Sequence, residues 1–125
     1  MNEPDDREPF PACDAFRLLE QVFTVDPRYA SRSVLDPKVG ARLMTIEDHW
    51  KYIATIALHE GVPRAIRVHF ETARNLLLYS WFVYPFQQVA EMHAFASVEY
   101  ALRMRSGLPV GQRGKTLGRL LKRAA

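Results

Sequence analysis

The sequence is short of the residues and segments that mark several classes of protein. It has one cysteine, Cys13, which cannot form a disulfide within the chain. No uninterrupted apolar run approaches the roughly 18 residues that a membrane-spanning helix needs. No apolar run with a basic flank marks a secretory signal at the N-terminus. These absences argue against a disulfide-built secreted domain and a membrane protein, and they predict a protein of the cytoplasm.

The composition fits one domain, and the charge is unevenly spread. The 125 residues are 48% hydrophobic, which is enough for a single core. The net charge is only +3, but residues 1–36 contain eight acidic and four basic residues, and residues 102–125 contain seven basic residues and no acid. A basic end favours binding to phosphates, although the overall charge alone does not predict such binding.

The first 44 residues show weak patterns. Residues 1–12 are rich in proline and acidic residues and are predicted to be a disordered leader, because they have too little apolar surface to offset the entropy of ordering. Residues 13–44 are predicted to form a short helix and a loop. The helix, over residues 13–23, is indicated by apolar residues at helical spacing. These are Phe16, Leu19 and Phe23.

A helical bundle is predicted for residues 45–125. Thr45 is a good N-cap, and two acidic residues follow in the first turn, where the helix dipole favours negative charge. This helix is expected to end at Gly61. Pro63 then opens the next helix at its first turn. The pattern therefore predicts two helices joined by a short connection.

The centre of the bundle is predicted to be an antiparallel hairpin of two helices, at about 64–84 and 86–105. Pro85 separates them because proline lacks an N–H and restricts the residue before it. The first helix carries an apolar stripe at steps of three and four: Ile66, Phe70, Ala73, Leu77, Trp81 and Tyr84. The second carries small residues that allow another helix to approach closely. With shorter flanking helices, the predicted fold class is all-α.

The hairpin has more apolar surface than one small domain needs. After Asn75 the first helix is apolar on all sides, which implies burial on more than one side. Either a partner subunit or Trp50 and the N-terminal helix cover that side. Glu99 shares an apolar stripe, so it is expected to find a donor such as an arginine or to sit at an interface edge; the alternative is a partly exposed glutamate at a helix flank. The predicted interface residues are Leu78, Tyr79, Phe82, Phe86, Phe95 and Glu99.

The sequence contains no complete catalytic motif and predicts no cofactor. His49, His59 and His69 lie ten residues apart, which does not place them on one face of one helix, so no metal site is predicted. His93 lies on the packing stripe of the second hairpin helix. It is more simply explained as a core histidine than as a catalytic one.

The hairpin and the segment after it resemble the helices of HEPN-type proteins from bacterial toxin and phage-defence systems. The resemblance covers about 50 residues. It rests on the Ala73-Arg74 start with Leu77, the aromatic turn from Trp81 to Phe86, the small residue Ala90, the Glu99-x-Ala101-Leu102-Arg103 pattern, and the basic Leu120-Leu121 segment.

The resemblance implies a helical bundle that dimerises and often cleaves RNA without a metal. In that family an arginine and a histidine, four to six residues apart near the end of the domain, act from both subunits. This chain stops at Ala125, before the place where that motif is expected. Arg64 and His69 have the spacing but lie ahead of the hairpin. We therefore expect an N-terminal portion of such a domain or a non-catalytic relative.

Two functions follow from these patterns. In the first, the protein dimerises and binds RNA or a partner in a defence or toxin–antitoxin system. Its basic C-terminal surface would then contact RNA through Arg113, Lys115, Arg119, Lys122 and Arg123. In the second, it is a helical protein–protein interaction module without a nucleic-acid role, and the basic tail is a solvated helix face.

Overall fold

A computed structural model describes residues 5–106 of the chain. This part is mostly helical and contains one two-stranded antiparallel sheet, so the predicted all-α class is corrected by the sheet. The elements are α1 (Pro27–Ala30), β1 (Ser33–Asp36), β2 (Gly40–Leu43), α2 (Ile46–Ala54), α3 (Arg64–Tyr79) and α4 (Phe86–Ser106). None of the helices in the described part is long and apolar enough to cross a membrane.

The N-terminal segment differs from the predicted helix over residues 13–23. Only a 3-10 turn at Leu19–Gln21 forms there. Phe16, Leu19 and Phe23 are 99%, 88% and 84% exposed, so this stripe is not buried. Isolated helices shorter than about 12 residues are marginal without packing, which explains why the spacing alone does not produce one. Residues 5–12, part of the predicted leader, contain turns but neither helix nor strand.

A β-hairpin occupies most of the stretch that was predicted to be a loop. Strands β1 and β2 are antiparallel, with Asp36 opposite Gly40 next to the turn. Gly40 has a φ of 80°, which glycine adopts at no steric cost. The Asp36 carboxylate accepts hydrogen bonds from the Lys38 N–H (2.8 Å) and from Nε of Arg42 (2.9 Å). The β-hairpin is therefore determined by its turn residues and their hydrogen bonds, rather than by alternating apolar and polar residues in its strands.

Helix α2 begins where the sequence predicts and ends earlier. Thr45 and Asp48 form a capping box, in which Oγ1 of Thr45 accepts from the Asp48 N–H and the Asp48 carboxylate accepts from the Thr45 N–H. The predicted N-cap is confirmed. The helix stops at Ala54 rather than near Gly61. The hydroxyl of Thr55 donates to the Tyr52 carbonyl at 2.6 Å, a local bond that competes with helix continuation.

Helices α3 and α4 form the predicted hairpin. Helix α3 ends at Tyr79, five residues before the predicted Tyr84, and residues 80–85 form the turn. Ser80 is buried and its hydroxyl donates to the Leu77 carbonyl at 2.5 Å. Within the predicted stripe of the first helix, the buried side chains are Ile66, Ala73 and Trp81.

Asp26 anchors the N-terminal segment to the turn between α3 and α4. Its side chain is fully buried, and its backbone N–H donates to the Trp81 carbonyl at 2.8 Å. The carboxylate accepts from the Tyr84 N–H at 2.9 Å and from Nε and Nη2 of Arg28 at 2.9 Å each. Burial acts to raise the pKa of Asp26, but these bonds, above all those from the Arg28 side chain, hold it well below its usual range.

Tyr29 connects three elements in the core. Its ring is 1% exposed and lies 5.4 Å from the Trp81 ring between centroids. The hydroxyl of Tyr29 is hydrogen-bonded to the hydroxyl of Ser80 at 2.9 Å. The imidazole of His49, on α2, lies against Tyr29, and its Nε2 is 2.8 Å from the Leu77 carbonyl. These contacts hold α1 and α2 against the end of α3.

Candidate functional site

The structure divides five of the six predicted interface residues between two separate surfaces. The sixth, Phe86, is the first residue of α4 and is half-buried. It lies on the same side of the helix as the buried Ala90, so it belongs to the packing between α3 and α4. The six predicted interface residues therefore do not form one continuous surface in the described part of the chain.

The first surface lies where α2 crosses the end of α3, and we call it the aromatic face. It borders a cleft of about 350 Å³, with Glu47 as the one charged residue at its edge. Its most exposed rings are Trp50 (56%) and Tyr79 (54%). The aromatic face consists of Ile46, Trp50, Leu78, Tyr79 and Phe82.

The position of α2 explains why these rings face solvent. His49 and Ile53, four residues apart, are the buried side chains of α2 and fix which side of the helix meets α3. Ile46 and Trp50 are also four residues apart and lie on the neighbouring side. Helix α2 therefore carries apolar residues beyond its buried side, and Ile46 and Trp50 form one wall of the aromatic face.

The second surface runs along the solvent side of α4, and we call it the α4 stripe. Ala90 and Ser97 are buried and mark the side that meets α3. The α4 stripe lies on the opposite side, and Met92 and Phe95 are its most exposed apolar residues, at 72% and 62%. It consists of Gln88, Met92, Phe95, Glu99 and Leu102, at alternating steps of four and three.

Glu99 meets a donor on its own helix. Nη2 of Arg103 lies 2.8 Å from its carboxylate and Nε lies 3.1 Å away, while the carboxylate keeps 44% of its side-chain surface exposed. Steps of four and three, sustained over two heptads, are the pattern by which one helix packs along another. A carboxylate in such a seam is a polar position that restricts how a partner can align.

A histidine pair lies between α3 and α4. The rings of His69 and His93 are stacked, with centroids 3.8 Å apart and an angle of 13° between their planes. Nδ1 of His69 is 2.5 Å from the hydroxyl of Ser97, which also lies 3.1 Å from the His93 carbonyl. Nε2 of His93 is buried and has no hydrogen-bond partner in the described part of the chain. Burial, and secondly the neighbouring His93, lower the pKa of His69.

The structure does not bring the two weak catalytic candidates together. Arg64 is the first residue of α3 and is exposed, whereas His69 turns toward α4. Five residues along an α-helix correspond to a rotation of about 500°, which leaves the two side chains about 140° apart. Within residues 5–106, no three His, Cys, Asp or Glu side chains are grouped so that they could hold a metal ion.

The five predicted RNA-binding residues lie outside the described residues. They are Arg113, Lys115, Arg119, Lys122 and Arg123. Comparisons of the chain with protein-family models, with curated proteins and with solved structures found no match.

Proposed function

We propose that this chain is a HEPN-like helical protein of a bacterial defence or toxin–antitoxin system, and that it acts without catalysis, through self-association. The family assignment is supported by the resemblance of the hairpin and the segment after it. The observation that carries self-association is the α4 stripe. Helix α4 already packs its other side against α3, so its exposed apolar residues have no role within the described fold.

The partner that best fits the α4 stripe is a second copy of α4 in the antiparallel direction. If the α4 stripe supplies the a and d positions of a heptad pattern, then Glu91, Val98 and Arg105 occupy its g positions. Two antiparallel copies bring g positions opposite each other. Glu91 of one chain then faces Arg105 of the other, twice in each dimer, whereas a parallel pair does not join these charges.

The same antiparallel alignment also gives favourable contacts between the two α4 stripes, which form the seam of the dimer. When Glu91 is opposite Arg105, Met92 of one chain packs against Leu102 of the other, and Phe95 packs beside Glu99. Glu99 is already satisfied by Arg103, so its carboxylate does not enter the seam without a donor. A polar residue at one core position fixes the alignment of paired helices at some cost in stability.

Self-association is tested by the mass of the protein in solution. We expect light scattering of the wild type to give twice the 14.4 kDa of one chain, and Phe95→Glu to give a monomer, because it buries two unpaired carboxylates in the seam. The control is Val68→Glu, since Val68 is 58% exposed on α3 and belongs to neither surface. A monomeric wild type, or a dimeric Phe95→Glu variant, would contradict pairing through α4.

A charge exchange tests the direction of pairing. Glu91→Arg and Arg105→Glu should each weaken the dimer about tenfold, because two attractive pairs become repulsive. The double variant restores the pairs in reverse and should recover most of the affinity. Additive losses in the double variant would rule out the antiparallel alignment.

RNA binding is the proposed role of the basic C-terminal residues. Five phosphate contacts to single-stranded RNA predict that log K falls with log salt with a slope of about −3.5. We expect replacement of Arg113, Lys115, Arg119, Lys122 and Arg123 by alanine to remove binding of a labelled single-stranded RNA, measured by fluorescence anisotropy. The control replaces the exposed Arg32, Lys38 and Lys51. Equal binding by both variants would argue against this role.

The aromatic face favours a second candidate function, a protein–protein interaction module without a nucleic-acid role. Its cleft is lined by tryptophan, tyrosine and phenylalanine, which dominate the binding energy of many interfaces. In this case the occupant is an apolar side chain on a helix of a partner protein. A wild type that binds no RNA and stays monomeric, but loses a protein partner when Trp50 and Tyr79 are replaced by alanine, would favour this candidate over the first.

A further inference from the structure

The histidine pair is a titratable group that neither proposed function uses. His69 and His93 come from different helices and meet face to face within the contact that holds α3 and α4 together. Two protonated imidazole rings at 3.8 Å repel each other strongly, since like charges at this distance interact unfavourably. The protonation state of His69 and His93 therefore affects the stability of the α3–α4 hairpin, which contributes residues to both surfaces.

On α3 and α4, the described positions next to the pair carry no carboxylate that could balance a charge. The residues three and four positions away from each histidine share its side of the helix. They are Ala65, Ile66, Thr72 and Ala73 around His69, and Val89, Ala90, Ala96 and Ser97 around His93, and none of these eight is charged.

The charged side chains farther from the histidine pair, on α3, α4 and α2, either bind other groups than the two histidines or face solvent. Arg67 donates to the Val62 carbonyl, and Glu71 accepts from Arg74. On α4, Glu91 is exposed and Glu99 accepts from Arg103. On α2, which also packs against α3, the charged residues and histidine are Glu47, Asp48, His49 and Lys51. Asp48 is bound to Arg42, and His49 contacts the Leu77 carbonyl.

The hydrogen bonds of the pair leave one nitrogen without a partner. The Ser97 hydroxyl donates to the His93 carbonyl at 3.1 Å and lies 2.5 Å from Nδ1 of His69, an arrangement open to both a neutral and a protonated His69 ring. Nε2 of His93 is buried without a partner in the described residues. A proton added there creates a charged donor with no acceptor, which costs more than a buried neutral nitrogen.

We propose that the stacked His69 and His93 act as a proton-sensitive lock on the α3–α4 hairpin, which loosens when one ring is protonated in mildly acidic solution. The first proton draws water toward the buried Nε2 of His93, and a second proton drives the two rings apart, so the two helices lose their contact at this level. The device adds regulation by pH to the fold and does not depend on how the fold associates.

The direction of the pH effect follows from the His69 ring. Its pKa in the folded protein lies below the ordinary value of 6.5, so the unfolded chain binds more protons once the pH falls to about that value. Stability contributed by the neutral pair is therefore fully present above about pH 7 and is lost progressively as the pH falls through 6.5 toward the folded pKa.

The test compares Phe95→Glu, the parent, with the double variant Phe95→Glu, His93→Phe, so that association does not contribute. The His93→Phe change keeps a stacked ring and removes the titratable group and its unpaired nitrogen. We expect the melting temperature of the parent to fall between about pH 7.5 and pH 5.5, the range in which histidine titrates. The fall should shrink by at least half in His93→Phe. His59→Gln, at an exposed histidine, is the control and should keep the parent's pH dependence.

NMR of the imidazole rings gives a second measurement, the pH titration of His69, which would not change if His93 had only a structural role. The His69 resonance should titrate below pH 6.5 in the parent and shift upward in His93→Phe, because the neighbouring charge is gone. If the phenylalanine variant does not fold, His69→Asn replaces it in the melting-temperature comparison, since its amide can still pair with Ser97. A parent with no melting-temperature change over this pH range, or an equal change in the histidine variants, would overturn the proposal.

Discussion

Replacing Asp26 by alanine is expected to lower the free energy of unfolding by about 3 kcal/mol. The carboxylate is fully buried and accepts from the Arg28 guanidinium and from the backbone N–H groups of Arg28 and Tyr84. Its removal takes the acceptor from the two backbone N–H groups and from Nε of Arg28, while Nη2 of Arg28 keeps the Asp14 carboxylate at 3.0 Å. The expected loss is at the lower end for a buried ion pair because the Arg28 side chain is 33% exposed and can be solvated. Urea unfolding measured by circular dichroism gives the difference.

Asp14 provides a matched control for Asp26. Its carboxylate also pairs with Arg28, at 3.0 Å, but 39% of its side-chain surface is exposed. Exposed ion pairs contribute about 0 to 1 kcal/mol, so Asp14→Ala should change stability little. Similar losses in the two variants would show that burial and the backbone donors at Asp26 do not matter, which contradicts the anchoring role.

The pH dependence of the Asp26 contribution has a defined sign. Because the pKa of Asp26 is lowered in the folded protein, its contribution is present above the ordinary carboxyl value of 3.8 and is lost as the pH falls below it. The difference in stability between the wild type and Asp26→Asn should therefore be largest near neutral pH and should decrease in acid. A difference that grows on acidification would mean that the carboxylate is destabilising when ionised.

The role of Asp26 shows which part of the fold the sequence does not predict. The Asp-Pro pair indicates a local helix start, with aspartate as N-cap and proline in the first turn, and α1 has this arrangement. The bond to the Tyr84 N–H and the bond to the Trp81 carbonyl span more than 50 residues of chain. Neither composition nor periodicity carries information on such distant polar contacts.

The hairpin was predictable because its signals are local. The stripe from Ile66 to Trp81 follows the helical period, and Pro85 marks the break at the place where the structure begins α4. The β-hairpin was missed because its strands do not alternate between apolar and polar residues, and Leu35 is 87% exposed. Without such alternation, the stretch favoured a loop.

To place the residues of the two candidate surfaces, one must know which side of each helix is buried. The sequence shows that Tyr79 and Phe95 exceed what one core can bury, but only the end of α3 at Tyr79 and the crossing of α2 place them on different surfaces. The meeting of His69 and His93 depends in the same way on the length of the turn at residues 80–85. That turn sets which positions of α3 and α4 lie opposite each other, and the sequence did not define its start.

Ile66→Ala is expected to destabilise the protein by about 2 to 5 kcal/mol, the range for removing a large aliphatic side chain from a packed core. Ile66 is 1% exposed and lies one turn before His69 on α3. The cavity would open next to the histidine pair, where the small side chain of Ala73 leaves the helices close together and little freedom to collapse. Urea unfolding at neutral pH gives the difference, with an unchanged m-value as the sign of an intact unfolding transition.

Val68→Ala is the control for this substitution, since Val68 is a β-branched residue of the same helix and is 58% exposed. Both changes raise helix propensity by a few tenths of a kcal/mol, so the propensity term nearly cancels in the comparison and the difference reports burial. The exposed site should change stability by no more than about 0.5 kcal/mol. Equal losses at the two positions would place the core on another side of α3, and the alignment that stacks His69 on His93 would then be wrong as well.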